Sequence, residues 1–185
     1  MLLDATRSQF LVIDVQDRLL PSLEDAERMV KHCVCLVRAA HLLDVPASYV
    51  EQNPNGLGPS ASEIISVFGD QAAFEKDHFS AFSDPQVSHH IMALKSEGRD
   101  QLILSGCESH VCVLQTALEA KAAGLQVYVA WLATASRSSE NRQLAKDRLQ
   151  AAGCELLSTE EILFEWLRDY KHTAFRAVQA LVKEL

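Results

Sequence analysis

Three residues have side chains that could work together on a carbonyl carbon. Asp14 interrupts the apolar run at 10–15 (FLVIDV), Lys76 follows Ala-Ala-Phe-Glu at 72–75, and Cys112 lies beyond the apolar run at 101–104 (QLIL). A thiol attacks carbon as its thiolate. A helix N-terminus and a nearby ammonium both favour that form, and a carboxylate within reach can take the proton. Singly, each residue has a plain structural role: a carboxylate capping a strand end, a solvated loop lysine, a packed thiol. Their meaning is joint and depends on whether one edge of the fold carries all three.

The pattern of elements says that it does. Residues 10–15 read as a strand, and apolar positions Ala26, Val30, Cys33, Val37 and Ala40 then recur at spacings of three and four, predicting an amphipathic helix. Further short strands are predicted at 47–50, 72–75, 101–104, 126–130 and 155–157, separated by helices at 62–68, 85–97, 111–123 and 140–152. Residues 52–59 (QNPNGLGP) read as a loop, Ser158 with Glu161 forms a capping box for the next helix, and 173–185 is a C-terminal helix. Repeated strand–helix alternation implies an α/β fold: a six-stranded parallel sheet in a three-layer α/β/α sandwich, Rossmann-like, with right-handed crossovers. No linker or repeat divides residues 1–185, so one domain is expected. In such sheets ligands sit beyond the carboxyl ends of the strands, near the point where strand order reverses. Asp14, Lys76 and Cys112 all fall at that edge.

Composition narrows the function classes. The chain has 185 residues, 17 Lys and Arg against 25 Asp and Glu, and a net charge of −8. That balance offers no basic stripe, so no nucleic-acid or membrane partner is expected. The N-terminus lacks the long apolar stretch of a signal peptide, and five cysteines without CxxC or paired Cys/His spacing read as reduced thiols, which together predict a cytoplasmic protein. His89 and His90 are adjacent, so they do not share a helix face; neither metal nor cofactor is expected.

The stretches LVIDVQDRL, FEKDHFSAF and GCESHVCVLQTALEAKAAG, in that order, resemble the isochorismatase-like cysteine hydrolases, and YVEQNPNGLGP resembles a loop of the isochorismatase-domain-containing subgroup. The resemblance runs over about residues 8–168 and implies roles. Asp14 would be the base, Lys76 would stabilise the thiolate and developing charge, and Cys112, not Cys107, would be the nucleophile. The backbone N–H groups of Glu108 and Cys112 would form the oxyanion hole, with a non-proline cis peptide at Cys107-Glu108. The activity implied is hydrolysis of a C–N bond in a small amide through a thioester, in a homo-oligomer. The metal-binding histidines of the nicotinamidase branch are missing from YVEQNPNGLGP, and Cys112 argues against cleavage of isochorismate itself. Gln16, Phe79 and His110 are candidate substrate contacts, with a structural role equally open for Gln16 and core packing equally open for Phe79. For the C-terminal helix, the apolar stripe Ala174, Val178, Leu181 and Val182 suits either a subunit interface or its own domain. Two other functions fit the same residues: a thiol redox sensor with Cys107 as resolving partner, and a catalytically inactive scaffold.

Overall fold

A computed structural model describes all residues, 1–185. Six strands form one sheet: β1 (Ser8–Ile13), β2 (Ala47–Gln52), β3 (Phe74–Lys76), β4 (Gln101–Cys107), β5 (Gln126–Ala135) and β6 (Glu155–Leu157), in the order β3-β2-β1-β4-β5-β6. Every pairing is parallel. The chain winds outward from β1 in one direction and from β4 in the other, so strand order reverses between β1 and β4. The predicted α/β/α sandwich is the fold observed.

The helices are α1 (Ala26–Leu42), α2 (Pro54–Leu57), α3 (Ser62–Phe68), α4 (Pro85–Ser96), α5 (Leu114–Ala122), α6 (Ser139–Ala151), α7 (Thr159–Leu167) and α8 (Phe175–Lys183). Alternation along the strands divides the core. Phe10, Val12, Ile103 and Tyr128 point to one face and pack with α1, α3, α7 and α8. Leu11, Ile13, Leu102, Leu104, Val127 and Val129 point to the other and pack with α4, α5 and α6. The capping box forms as expected: Glu161 N–H donates to Ser158 Oγ and Ser158 N–H to Glu161 Oε2.

Four differences from the sequence reading bear on the site. Pro54 opens a short helix, α2, in the expected loop, because its ring presets a helical φ. The third strand is Phe74–Lys76 rather than 72–75, since pairing with β2 sets its register and places Gln52 beside Lys76. β5 runs five residues further than predicted, pairing Thr134 and Ala135 with Gly106 and Cys107 past a register shift in which β5 advances from Val129 to Thr134 while β4 advances from Leu104 to Gly106. The helix expected at 111–123 begins only at Leu114, after a π-helical turn over Ser109–Val113.

The stripe on α8 is spent inside the domain. Val178 and Leu181 are buried in the α1-side core, and Ala174 and Val182 pack against it. An Arg38–Glu184 ion pair of 2.6 Å ties α8 to α1. Of the two readings of this helix, the structure supports packing on its own domain.

Candidate active site

β1 and β4 bring the first and last members of the trio together. Asp14 directly follows β1, and its positive φ of 53° turns the chain away from the sheet. Gly106 lies beside the end of β1 with φ +99°, and a Cβ there would stand 2.0 Å from the Ile13 carbonyl oxygen. Only glycine permits that approach, which brings the turn after β4 against Asp14. The Cys107 thiol then donates to the Asp14 carbonyl at 3.0 Å.

Lys76 arrives from the far side. Its Nζ donates to Asp14 Oδ2 and to Gln52 Oε1, each at 2.8 Å, and to the His78 and Phe79 carbonyls, each at 3.2 Å. The Lys76–Asp14 pair is buried on both sides. Removing two charges from water costs several kcal/mol each, and the compensation comes from their mutual attraction plus the three neutral oxygens around the ammonium. The other carboxylate oxygen, Asp14 Oδ1, is buried and accepts no hydrogen bond.

Cys112 sits inside the π-helical turn and is the most exposed of the five free cysteines, at 7%. Its thiol is coupled to the Asp14 carboxylate. Burial pushes the Cys112 thiol pKa up, the Asp14 charge pushes it further, and the Lys76 ammonium opposes both. Burial likewise raises Asp14 against the pull of Lys76. This corrects the expectation of a thiol made acidic by a helix terminus and a lysine: Cys112 lies before α5 proper, and burial outweighs the ammonium. The resting pair is a thiol beside a carboxylate whose proton affinity is increased, which suits general-base transfer better than a standing thiolate. Burial raises every other thiol as well, Cys154 included, so Cys112 is set apart by its exposure and by the Asp14 and Lys76 charges acting on it, not by a more acidic thiol. Burial pushes Cys33 up to about 12 and Cys35 to about 11, and Cys107 is raised well above its ordinary value.

The Cys107-Glu108 peptide is cis. The Glu108 N–H has no backbone acceptor and holds the Cys112 thiol pKa down, while the Glu108 carboxylate pairs with Arg137 at 2.9 Å. Of the three candidate substrate contacts, Gln16 is fully buried; its amide donates to the Gln52 and Gly58 carbonyls and accepts from the Gln52 N–H. It clamps β2 and the following loop, which leaves nothing to offer a substrate. Phe79 contributes its carbonyl to the lysine seat, and the residue is 59% exposed. His110 is half-buried, with Nδ1 3.1 Å from Ser136 Oγ.

Sequence reasoning missed Gln52 and the two carbonyls that seat Lys76. Gln52 could be found only from the β2–β3 register, and backbone carbonyls leave no mark in a sequence.

The isochorismatase domain family matches residues 8–161. Isochorismatase domain-containing protein 2A of Mus musculus is 34% identical over 184 residues, covering 96% of this chain and 83% of that protein. Among solved structures, the MAR1 ribonuclease of Caenorhabditis elegans superposes with a TM-score of 0.91 at 28% identity, covering 99% of this chain and 93% of that one. The YcaC gene product of Escherichia coli, described as an octameric hydrolase of unknown specificity, superposes with a TM-score of 0.86 at 23% identity, covering 100% and 96%.

Proposed function

The chain belongs to the isochorismatase family, and we propose that within it this protein is a cysteine hydrolase of C–N bonds in small amides, with Asp14, Lys76 and Cys112 as its catalytic residues. The observation that carries this reading is the buried Lys76–Asp14 pair, in which one carboxylate oxygen accepts no hydrogen bond and the carboxylate charge acts on the Cys112 thiol. A charge-paired carboxylate with a spare lone pair can accept a proton where no water competes for it.

The Cys112 proton passes to Asp14 as sulfur attacks the amide carbon. The tetrahedral oxyanion is held by the Glu108 and Cys112 N–H groups, a contribution of about 3 kcal/mol per donor. Asp14 returns the proton to the departing nitrogen, the C–N bond breaks, and ammonia or an amine leaves a thioester on Cys112. Asp14 then deprotonates a water that cleaves the thioester, releasing the acid and restoring the thiol. Near-complete burial of the trio supports a small acyl group. Phe79 and His110 are the residues proposed to contact it at the rim.

The redox-sensor reading has weaker support, because Cys107 is fully buried, its thiol donates to a carbonyl, and burial raises it far from thiolate. The inactive-scaffold reading is separated by turnover. Though the C. elegans neighbour is named a ribonuclease, 17 basic against 25 acidic residues gives RNA little to bind here.

The test is ammonia or amine release from a panel of small amides, before and after exhaustive chelation. No three His, Cys, Asp or Glu side chains converge as a metal site, so activity is expected to survive unchanged; loss on chelation, restored by a transition metal, would overturn the metal-free mechanism. The protein is also proposed to be a cytoplasmic homo-oligomer; no helix is long and apolar enough to cross a membrane. Light scattering across a concentration series is expected to give a dimer or larger, through a surface other than the α8 stripe, and a monomer throughout would refute it.

A further inference from the structure

The loop between Lys76 and α4 faces two ways. Its His78 and Phe79 carbonyls seat the Lys76 ammonium. Its later residues are tied to α5, the helix that continues from the turn carrying Cys112. The Ala81 N–H donates to the Thr116 hydroxyl at 2.8 Å, and that hydroxyl donates to the Cys112 carbonyl at 2.7 Å. The Ser80 and Ser83 hydroxyls both donate to Glu119 Oε2, each at 2.7 Å.

A threonine hydroxyl bonded back to the carbonyl four residues earlier is common in helices and by itself says little. Thr116 differs because the same oxygen accepts an N–H from a segment 35 residues away, and because the residue is fully buried. One hydroxyl therefore fixes the spacing between the nucleophile's own backbone and the loop that seats its lysine. We propose that Thr116, with Glu119 as a second tie, is a positioning residue for Cys112, holding the Lys76 ammonium in place beside the thiol. This rests on the cysteine-hydrolase reading of the site.

The consequence is electrostatic. The titratable groups whose charge acts on the Cys112 thiol are Asp14 at the end of β1 and Lys76 in β3, with the Cys107 thiol at the end of β4 interacting with it in turn. Asp14 disfavours the thiolate, and Lys76 is the one charge that favours it. Two of the four oxygens around the Lys76 ammonium belong to the loop that Thr116 and Glu119 hold. Freeing that loop lets the ammonium move, and the thiolate loses its stabilising charge.

The experiment measures Cys112 alkylation by site-resolved mass spectrometry at a series of pH values below the thiol's midpoint. It compares the full-length wild type with Thr116→Val, Thr116→Ser, Glu119→Ala and Lys76→Met. Thr116→Val is expected to displace the profile upward by about one pH unit, roughly tenfold slower labelling at a given pH. Thr116→Ser, which keeps a hydroxyl able to donate and accept, should return it to the wild-type position. Glu119→Ala alters an exposed side chain, puts the fold at little risk, and should move the profile the same way by less. A purely structural role for Thr116 would lower Tm and leave the profile of the folded protein where it was. The proposal is overturned if Thr116→Val and Glu119→Ala both superpose on the wild type while Lys76→Met is displaced. If Lys76→Met does not move the profile either, or another cysteine is labelled first in the wild type, the hydrolase assignment of the site falls, and this proposal with it.

Discussion

Cys112→Ala is expected to reduce amide turnover roughly ten-thousandfold or more while leaving the protein folded. Removing a nucleophile abolishes the covalent route, and whatever remains comes from binding and the oxyanion donors alone. The structural cost is small. Cys112 is buried among Leu114, Ala117 and other apolar groups of the α5-side core, and losing one sulfur atom there costs about 1 kcal/mol. Circular dichroism and Tm should stay close to wild type. Cys107→Ala is the contrasting control. It removes a thiol that donates to the Asp14 carbonyl, so it should alter stability more than it alters the chemical step.

Asp14→Asn is expected to separate two properties that usually move together. Turnover should fall by about 100- to 10,000-fold, because the amide cannot take the thiol proton or return it to the leaving nitrogen. Alkylation of Cys112 should nevertheless become faster at a given pH. The sign follows from the charges: Asp14 pushes the thiol pKa up and Lys76 pulls it down, so removing the carboxylate leaves an ammonium beside sulfur and favours thiolate. A more reactive thiol in a nearly dead enzyme is the signature of a general base rather than a residue that merely shapes the pocket. Stability should decline, because a buried lysine loses its counter-charge; breaking such pairs costs up to about 3–5 kcal/mol. The Asn amide oxygen softens this by keeping an acceptor near Nζ. Matched measurements of turnover, alkylation rate and Tm check all three. Slower alkylation than wild type would contradict the sign.

Much of the fold was legible because its signals are local. The run FLVIDV, the three-and-four spacing in α1 and the Ser158–Glu161 capping box each announce their element within a few residues. Alternation of such elements then dictates a parallel sheet. The trio was legible for a related reason, as a carboxylate, a lysine and a thiol at predicted strand ends fall on one edge of any doubly wound sheet. What could not be read depends on tertiary register. The residue beside Lys76 became known only once β3 paired with β2 at Gln52↔Lys76. The extension of β5 depends on the register shift between β4 and β5 past Leu104 and Val129. The acidity of Cys112 is not legible in sequence, because helix position and a lysine are visible there whereas near-complete burial is not. Gln16 shows the same limit: sequence leaves a substrate contact and a structural role equally open, and its three hydrogen bonds to backbone favour the second.

If Cys112 attacks the substrate carbon with Asp14 as its base, the thioester on Cys112 can be trapped. The wild type and Asp14→Asn would each be mixed with small amides and with the matching activated esters, quenched in acid, and read by intact mass and then by peptide mapping. An activated ester supplies its own good leaving group, so acylation from it needs no proton delivered by Asp14. The predicted result is an acyl adduct on Cys112 alone. From esters it should form in both proteins and persist in Asp14→Asn, where deacylation lacks its base; from amides it should form only in the wild type. No adduct on Cys112 from any ester, or an adduct that forms first on Cys107, Cys33, Cys35 or Cys154, would contradict the assignment.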